Sequence, residues 1–252
     1  MLHLLCEFAG SYIWEGGTKS GPLAEQVDSA YFSPDGRRVV MASGDTVQLF
    51  EGESFEEVGP PMKNAKPFNS ARCSPDGQRV VTISGDTVQL WDVATGKERG
   101  APMKHKDSVE EALFCPDGQR VVTVCSDDTA RLWDGTTGAW IGEEMRHKDT
   151  ITSVQFSPDG QRLLTASRDN TARLWNALTG KSASNPMTHV FSAEFSPDGK
   201  SVITAVEGGA VRLWEVTSTK AIGDLEPYII ASSLRTLPDG RVVINPPDPN
   251  GT

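Results

Sequence analysis

Three of the four histidines recur at equal intervals along the chain and are candidates for a catalytic or metal-binding role. They are His105, His147 and His189. Each of the first two is followed by a Thr and then by an Asp, and the spacing is the same in both sets. Imidazole, hydroxyl and carboxylate groups are the parts of a hydrolase triad, and imidazoles are common metal ligands. The two sets are His105, Thr123 and Asp127, and His147, Thr165 and Asp169.

A sequence repeat decides between these interpretations. Pro-Asp-Gly occurs six times, beginning at residues 34, 75, 116, 158, 197 and 238. An aromatic residue follows each of the first five triplets at a nearly constant distance: Phe50, Trp91, Trp133, Trp175 and Trp214. These landmarks divide the chain into six units of nearly equal length. The histidine spacing therefore follows the repeat, which distributes one His per unit instead of gathering them on one ion.

Each unit predicts four short strands. Ser-Pro-Asp-Gly suits a type I turn, with Pro at its second position and Gly at its fourth. An alternating strand precedes the turn, as in 152–156, and a β-branched run follows it, as in 120–124. A polar turn leads to the strand that ends in Trp, and a Thr-Gly turn opens a more polar outer strand. One such sheet cannot bury both of its faces alone, so we expect an all-β fold in which the units stack radially.

The repeat resembles the WD40 family over nearly the whole chain. The resemblance rests on Phe156–Trp175, which contains Ser-Pro-Asp-Gly and Arg-Leu-Trp, and on Trp91-Asp-Val-Ala-Thr-Gly96. It implies a single β-propeller over 1–252, with six blades of four antiparallel strands and one blade shared between the two termini. The expected complete blades are 27–67, 68–108, 109–149, 150–188 and 189–227, and the closing blade combines 1–26 with 228–252.

Two registers are open for the closing blade. If Trp14-Glu15 takes the Trp-Asp position, residues 2–8 become a surplus strand. If Cys6-Glu7 takes it, residues 2–8 and 11–15 supply the third and fourth strands. We favour the second register, because closed propellers contain few surplus strands.

The WD40 resemblance also implies a structural role for the histidines. In that family His, Asp, Ser or Thr, and Trp form a hydrogen-bonded tetrad within a blade, and here the Trp would cap the hydroxyl. The predicted tetrads are His105, Asp127, Thr123 and Trp133, and His147, Asp169, Thr165 and Trp175. Asn64 replaces the His one unit earlier, and Gly208 replaces the Asp of the unit that contains His189. A set that recurs in two units is unlike a catalytic centre, so we predict no catalytic residue, metal or cofactor.

Composition narrows the function further. The 24 basic and 34 acidic side chains give a net charge of −10, which disfavours nucleic acid and anionic membranes as partners. There is no apolar run of membrane-spanning length, no basic leader and no C-x-x-C among the four Cys, so we expect a cytoplasmic protein. The sequence contains no phosphate loop or H-E-x-x-H motif, and Glu111 and Glu194 are too far apart in the array for a metal cage. These features predict that the protein is not an enzyme.

Three loops concentrate positive charge. They are Met62–Lys66, Met103–Asp107 and Met145–Asp149, and inward-facing histidines would turn their flanking cations toward solvent. The candidate partner-binding rim consists of Lys63, Lys66, Lys104, Lys106, Arg146, Lys148 and Arg168. The competing interpretation is an ordinary solvated rim, since acidic side chains accompany the cations.

These observations favour a non-catalytic protein–protein interaction scaffold that presents the rim and central channel of a propeller. The expected partner is a protein or peptide of acidic or phosphorylated character. The alternatives are a structural module of a larger or oligomeric assembly and, third, a propeller that binds a small molecule or is an enzyme. The sequence does not determine the oligomeric state.

Overall fold

The structure is a computed structural model that describes most of the repeat region. It describes the backbone of residues 3–7, 10–15, 18–22, 27–206, 211–218, 220–225, 233–236 and 242–245. Side chains are described for residues 27–205, 211–218 and 220–222. Every regular element in these ranges is a β-strand, so no described segment forms a helix that could cross a membrane.

Five four-stranded antiparallel sheets follow one another along the chain, each with its strands in chain order. Sheet I contains β4 (Ser29–Phe32), β5 (Arg38–Ser43), β6 (Thr46–Glu51) and β7 (Glu57–Lys63). Sheet II contains β8 (Ser70–Cys73), β9 (Arg79–Ser84), β10 (Thr87–Asp92) and β11 (Lys97–Lys104). Sheet III contains β12 (Val109–Phe114), β13 (Arg120–Cys125), β14 (Thr129–Asp134) and β15 (Trp140–Arg146). Sheet IV contains β16 (Ile151–Phe156), β17 (Arg162–Ser167), β18 (Thr171–Asn176) and β19 (Met187–Thr188). Sheet V contains β20 (Val190–Phe195), β21 (Ser201–Val206), β22 (Val211–Glu215) and β23 (Ala221–Leu225).

The chain ends form two smaller sheets. The N-terminal sheet contains β1 (His3–Glu7), β2 (Gly10–Glu15) and β3 (Thr18–Pro22), and the C-terminal pair contains β24 (Ser233–Thr236) and β25 (Val242–Asn245). The favoured register predicted two N-terminal strands, and that count is wrong, because β3 pairs with β2 through Trp14 and Lys19. Strands β1 and β2 end one residue after Cys6 and Trp14, as β10 ends one residue after Trp91, and an antiparallel strand follows each. The backbone is therefore compatible with either residue at the Trp-Asp position.

The chain divides into two compact units. The first comprises Met1–Phe114, Gly118–Thr123 and Trp133–Ala139, and the second comprises Cys115–Asp117, Val124–Leu132 and Trp140–Thr252. Sheets I and II lie in the first unit and sheets IV and V in the second, while the strands of sheet III are divided.

Both faces of the middle strands are apolar and covered. All six residues of β9 are buried, and they alternate between the two sides of the sheet. Val80 packs in an apolar cluster with Val40 and Leu49 of sheet I. Val81 packs in a second cluster with Val121. In the second unit, one cluster likewise joins side chains of sheets IV and V.

The Ser-Pro-Asp-Gly turns start each second strand in the same way. In sheet II the Gly77 amide donates to the Ser74 carbonyl at 2.9 Å, which is the bond that closes a four-residue turn. The Ser74 hydroxyl accepts from the Arg79 amide at 2.9 Å and donates to the Asp76 carboxylate at 2.5 Å. The same three bonds recur around Ser33, Ser157 and Ser196. The turn thus sets where the buried strand begins.

A buried arginine joins sheet II to the next turn. The side chain of Arg79 is 9 % exposed, and its Nη1 donates to the carbonyls of Gly118 and Gly135 at 2.9 and 2.7 Å. Asp76 balances its charge at 3.0 Å. Arg38 of sheet I makes the equivalent bond to the Gly77 carbonyl at 2.9 Å. The guanidinium groups therefore link successive turns within the first unit.

Glycines on the outer strands allow the closest approach between sheets. Gly100 has φ +69°, and a Cβ there would lie 2.3 Å from the Thr137 carbonyl oxygen. Next to it the Ala101 amide donates to the same carbonyl at 2.9 Å. Gly142 repeats this contact in the second unit, with a Cβ position 2.1 Å from the Thr179 oxygen. Only a residue without a Cβ fits at these two positions.

We predict that Gly100→Ala and Gly142→Ala each destabilise the protein by about 2–4 kcal/mol, because overlap with backbone adds to a left-handed φ. Gly85→Ala is the matched control, since Gly85 has φ +61° but nothing within 4 Å of its Cβ position. It should cost only about 1–2 kcal/mol. Urea unfolding of the three variants measures both, and equal losses at Gly85 and Gly100 would contradict the contact.

Candidate functional site

The structure brings the four predicted tetrad residues of sheet IV together. The Trp175 indole N–H donates to the Thr165 hydroxyl at 2.9 Å, and that hydroxyl lies 2.7 Å from His147 Nε2. His147 Nδ1 lies 3.0 Å from the Asp169 carboxylate. Strands β17 and β18 supply Thr165 and Trp175, while the loop before β16 and the turn before β18 supply the other two. The Thr165 hydroxyl is fully buried, so no substrate reaches it.

The hydrogen bonds among these four side chains, which we call the relay, determine which imidazole nitrogen carries the proton. Because Asp169 accepts from Nδ1, the ring carries its proton there and Nε2 accepts from the Thr165 hydroxyl. Burial lowers the pKa of His147, although the hydrogen bond to Asp169 acts in the opposite direction. Burial alone would raise the pKa of Asp169, but hydrogen bonds from Thr171, the Lys148 amide and His147 lower it to about 2. The stable state is a neutral imidazole beside a carboxylate.

In sheet III, three tetrad residues meet within the first unit. His105 Nε2 and the Trp133 indole nitrogen each lie 2.8 Å from the Thr123 hydroxyl. The rings of His105 and Trp133 meet edge to face at 5.2 Å. Asp127 belongs to the second unit, so its pairing with His105 stays a prediction.

A charged cluster around Asp127 was not predicted from the sequence. The Arg131 guanidinium donates to Asp127 and to Glu144, both at 2.8 Å, and its side chain is only 5 % exposed. Burial would raise the pKa of Asp127, but Thr129, Arg131 and Cys125 lower it to about 2. The sequence feature that could have predicted this cluster is Glu144, which lies on the strand next to that of Arg131. Sheets II and IV have no such Arg–Glu pair at the equivalent positions.

His189 does not take the tetrad position that its spacing suggests. It lies between β19 and β20 with φ +61°, its side chain is exposed, and the next amide, of Val190, donates to the Asn170 carbonyl at 3.1 Å. A one-residue connection leaves no loop that could carry the imidazole to Thr204. Trp214 still donates to that hydroxyl at 2.9 Å. The predicted Gly208 position lies outside the described residues.

All seven predicted rim cations are exposed. In the first unit, hydrogen bonds link the segment that follows the first basic loop, and the second basic loop itself, to one turn of sheet II. The Asn69 side chain accepts from the Gly85 amide at 2.8 Å, and the His105 amide donates to the Asp86 carbonyl at 3.0 Å. The cations of this edge are Lys63, Lys66, Lys104 and Lys106. We call them the first cationic edge.

The second unit has a corresponding edge. The Lys148 amide donates to Asp169 at 3.0 Å, and the Arg168 amide donates to the Thr150 carbonyl at 2.9 Å, so their loop and turn lie side by side. Arg146 belongs to the same edge, but Glu144 pairs with it at 2.7 Å. We call Arg146, Lys148 and Arg168 the second cationic edge.

Acidic side chains reduce the net positive charge of both cationic edges. Asp45, Asp86, Asp107 and Asp149 are exposed on the same loops and turns. Within the described part of the chain, the side chains of Lys104, Lys106 and Lys148 take part in no ion pair. These lysine ammonium groups therefore remain available to a ligand, while the edge as a whole carries little net charge.

Two further charged side chains, Arg72 and Glu111, lie on the inner strands of the first unit. The Arg72 guanidinium stacks on the Tyr31 ring, 3.4 Å from its centroid. Burial raises the pKa of Glu111, and attraction to Arg72 partly offsets that effect. Among the residues with described side chains, no three His, Cys, Asp or Glu converge on a point where a metal could bind.

Comparison with known proteins agrees with this architecture. The model of the WD domain, G-beta repeat, matches residues 100–134, 143–176 and 180–215, which supports the WD40-repeat assignment over this part of the chain. The crystal structure of the computationally designed Ika8 protein is similar in fold, with a TM-score of 0.71 and 18% identity over 93% of this chain and 76% of that one. No curated protein matches the sequence.

We predict that Asp169→Ala and Trp133→Phe each lower the free energy of unfolding by about 1–3 kcal/mol, because each leaves a buried hydrogen-bonding group without its partner. Asp149→Ala, at an exposed carboxylate of the loop that carries His147, is the control and should change stability by about 0.5 kcal/mol or less. Denaturant midpoints equal to wild type for both relay variants would show that the relay does not stabilise the fold.

The lowered pKa of His147 predicts a loss of stability in acid. Below its ordinary pKa of about 6.5 the unfolded chain binds a proton at His147 before the folded protein does, so unfolding becomes easier as pH falls. We expect His147→Gln to be less stable at pH 8 and to lose less stability than wild type between pH 8 and pH 5. His189→Gln is the control, since that side chain is exposed. Chemical unfolding at several pH values gives the slopes, and parallel curves for wild type and His147→Gln would refute the prediction.

Proposed function

We propose that this protein is a non-catalytic interaction scaffold, a six-bladed propeller that presents its rim and central channel to a protein or peptide. The three segments that match the WD40 repeat and the five successive four-stranded sheets support this proposal. The buried hydroxyls of the relay support the absence of catalysis, because Thr165 and Thr123 are fully buried. Under this proposal the sixth blade combines β24 and β25 with two adjacent strands of the N-terminal sheet.

One observation carries the proposal: buried and exposed residues alternate in the basic loops. Met103 is fully buried and His105 is 9 % exposed, whereas Lys104 and Lys106 are exposed. Met145, Arg146, His147 and Lys148 repeat the pattern in the second unit. The relay and the core thus anchor the loop backbone and hold the cations at defined positions. A rigid backbone reduces the entropy that a binding surface loses when its partner docks.

The chemistry of the edges favours an acidic or phosphorylated peptide as the partner. Lysine and arginine bind carboxylates and phosphates through charge-assisted hydrogen bonds. The net charge of −10 disfavours long nucleic acids and anionic membranes, whose fields extend far beyond the contact. A short acidic segment meets mainly the local field, because salt screens charges more than about 8 Å away.

Charge reversal tests this proposal. We expect Lys104→Glu/Lys106→Glu, or Lys148→Glu/Arg168→Glu, to weaken binding to a panel of acidic and phosphorylated peptides by about tenfold or more and to flatten its salt dependence. Lys97→Glu and Lys181→Glu are matched controls, because Lys97 opens the strand that Lys104 ends and Lys181 is exposed in the second unit. Isothermal titration and fluorescence anisotropy measure the affinities. Unchanged binding in both edge variants would show that the edges are ordinary solvated surface.

Ring closure is tested by an experimental structure. We expect one sheet that contains β24, β25 and two adjacent N-terminal strands, either β1 and β2 or β2 and β3, in a closed ring of six blades. Seven blades, an open arc or strands exchanged between chains would contradict this arrangement.

A role as a module of a larger or oligomeric assembly is the second candidate. It is favoured by four large apolar side chains that the described part of the second unit exposes: Trp140, Leu178, Phe191 and Ile222, at 54%, 60%, 51% and 59%. Light scattering during size-exclusion chromatography separates the candidates, because the scaffold proposal predicts the mass of one chain.

Location in the cytoplasm is part of the scaffold proposal, and the buried thiols of Cys73, Cys115 and Cys125 support it.

A further inference from the structure

Sheet II repeats the relay without its histidine. The Trp91 indole N–H donates to the Thr82 hydroxyl at 2.8 Å, as Trp133 donates to Thr123 in sheet III. The residue at the position of His105 is Asn64, whose side-chain oxygen accepts from the adjacent Ala65 amide at 2.8 Å. The smaller amide is thus held by its own loop and forms no bond to Thr82.

A cavity of about 120 Å³ lies beside this pair. Its wall consists of Asn64, Thr82, Ser84, Thr87, Gln89, Trp91, Glu98 and Pro102. The deep side is buried, with Thr82 1% and Trp91 3% exposed, whereas Glu98 and Pro102 are exposed at the mouth. Phe68 packs on the edge of Trp91, with ring centroids 6.0 Å apart, but does not line the cavity. A small ligand therefore has a path from solvent to Thr82.

The Thr82 hydroxyl is the hydrogen-bond donor on the deep, buried side of this cavity, whereas the Asn64 amide lies on a less buried part of the wall. Its oxygen is occupied by Trp91, and its proton has only the Gln89 carbonyl at 3.5 Å, far beyond the usual 2.7–2.8 Å of such bonds. The other two hydroxyls of the wall are engaged, since Ser84 donates to the Pro67 carbonyl at 2.8 Å and Thr87 donates to Asp86 at 2.9 Å. In sheets III and IV the equivalent hydroxyls lie 2.8 and 2.7 Å from an imidazole nitrogen.

Size and chemistry together select the ligand. An apolar cavity of about 150 Å³ is large enough for benzene, so a space of this order accommodates a five-membered ring. An unprotonated ring nitrogen accepts from Thr82, and the Trp91 indole gives the ring an aromatic neighbour. The Asn64 oxygen and the Glu98 carboxylate lie along the same wall and can accept from the second nitrogen. We propose that this cavity binds a neutral imidazole ring, either a free imidazole or the side chain of a histidine in a partner peptide.

The test follows the Trp91 indole N–H by nuclear magnetic resonance while imidazole is added at pH 8. We expect a saturable shift of this signal, because imidazole changes the hydrogen bonding of the hydroxyl to which Trp91 donates. Pyrrole has the same ring but no acceptor nitrogen, and it should bind about tenfold more weakly. Binding should also weaken below about pH 6.5, where imidazolium can no longer accept from Thr82.

Asn64→His is the blocking variant, since its own side chain would occupy the cavity. We expect it to abolish the imidazole-dependent shift and to raise the unfolding midpoint. Ala65→His, at an exposed position of the same loop and outside the cavity wall, is the matched control and should leave the shift intact. If Asn64→His does not fold, the comparison of imidazole with pyrrole on the wild-type chain still decides the proposal.

Blocked histidine distinguishes the two sources of the ring. A shift with N-acetylhistidine amide as well as imidazole assigns the cavity to a peptide side chain, and a shift with imidazole alone assigns it to a free azole. No shift of the Trp91 signal with imidazole, or equal shifts with imidazole and pyrrole, would overturn the proposal.

Discussion

Each four-stranded sheet has two apolar faces, and the need to cover both of them governs the rest of the structure. Strands β9 and β13 bury all six of their residues, and alternate residues point to opposite sides. Such a sheet cannot stand with one face in water, so each sheet must pack between neighbours. Val80 and Val81 illustrate this, because they are adjacent in the chain and belong to different apolar clusters. The turns, glycines and arginines of the repeat serve this stacking.

The polar groups of the interior follow the same constraint. Stacked sheets exclude water, so every buried hydroxyl, indole and imidazole must find a partner in the protein. The relay of sheet IV satisfies four side chains in one chain of bonds that ends at a carboxylate of pKa about 2. Arg79 satisfies the carbonyls of a neighbouring turn in the same way. What resembles a catalytic triad in the sequence is therefore a means of burying polar groups.

The same anchoring connects the interior to the surface. His147 holds the loop before β16 from inside, while Lys148 on the same loop faces solvent. In sheet II the anchor is absent, since Asn64 bonds within its own loop and a cavity lies beneath it. Variation at a single repeat position thus changes both the rigidity of a loop and the chemistry of the space below it. This is how a uniform fold acquires distinct sites from unit to unit.

The strands and their turns could be predicted from the sequence, because they depend on residues close together in one repeat, and the WD40 resemblance implied the pairing of Trp with Thr. Pro-Asp-Gly marks each turn and Leu-Trp each third strand, and both recur often enough to be unambiguous. Tertiary structure decided what depends on the length and path of connections. His189 has the spacing of a relay histidine, yet a one-residue connection leaves it exposed, and β3 pairs with β2 where two N-terminal strands were expected. Arg131 binds Glu144 as well as Asp127, because folding brings Glu144 of the next strand beside it. The cavity next to Asn64 likewise exists only once Trp91 and Thr82 are packed. Local patterns specify local bonds, whereas the partners of a buried side chain are fixed only when distant parts of the chain pack together.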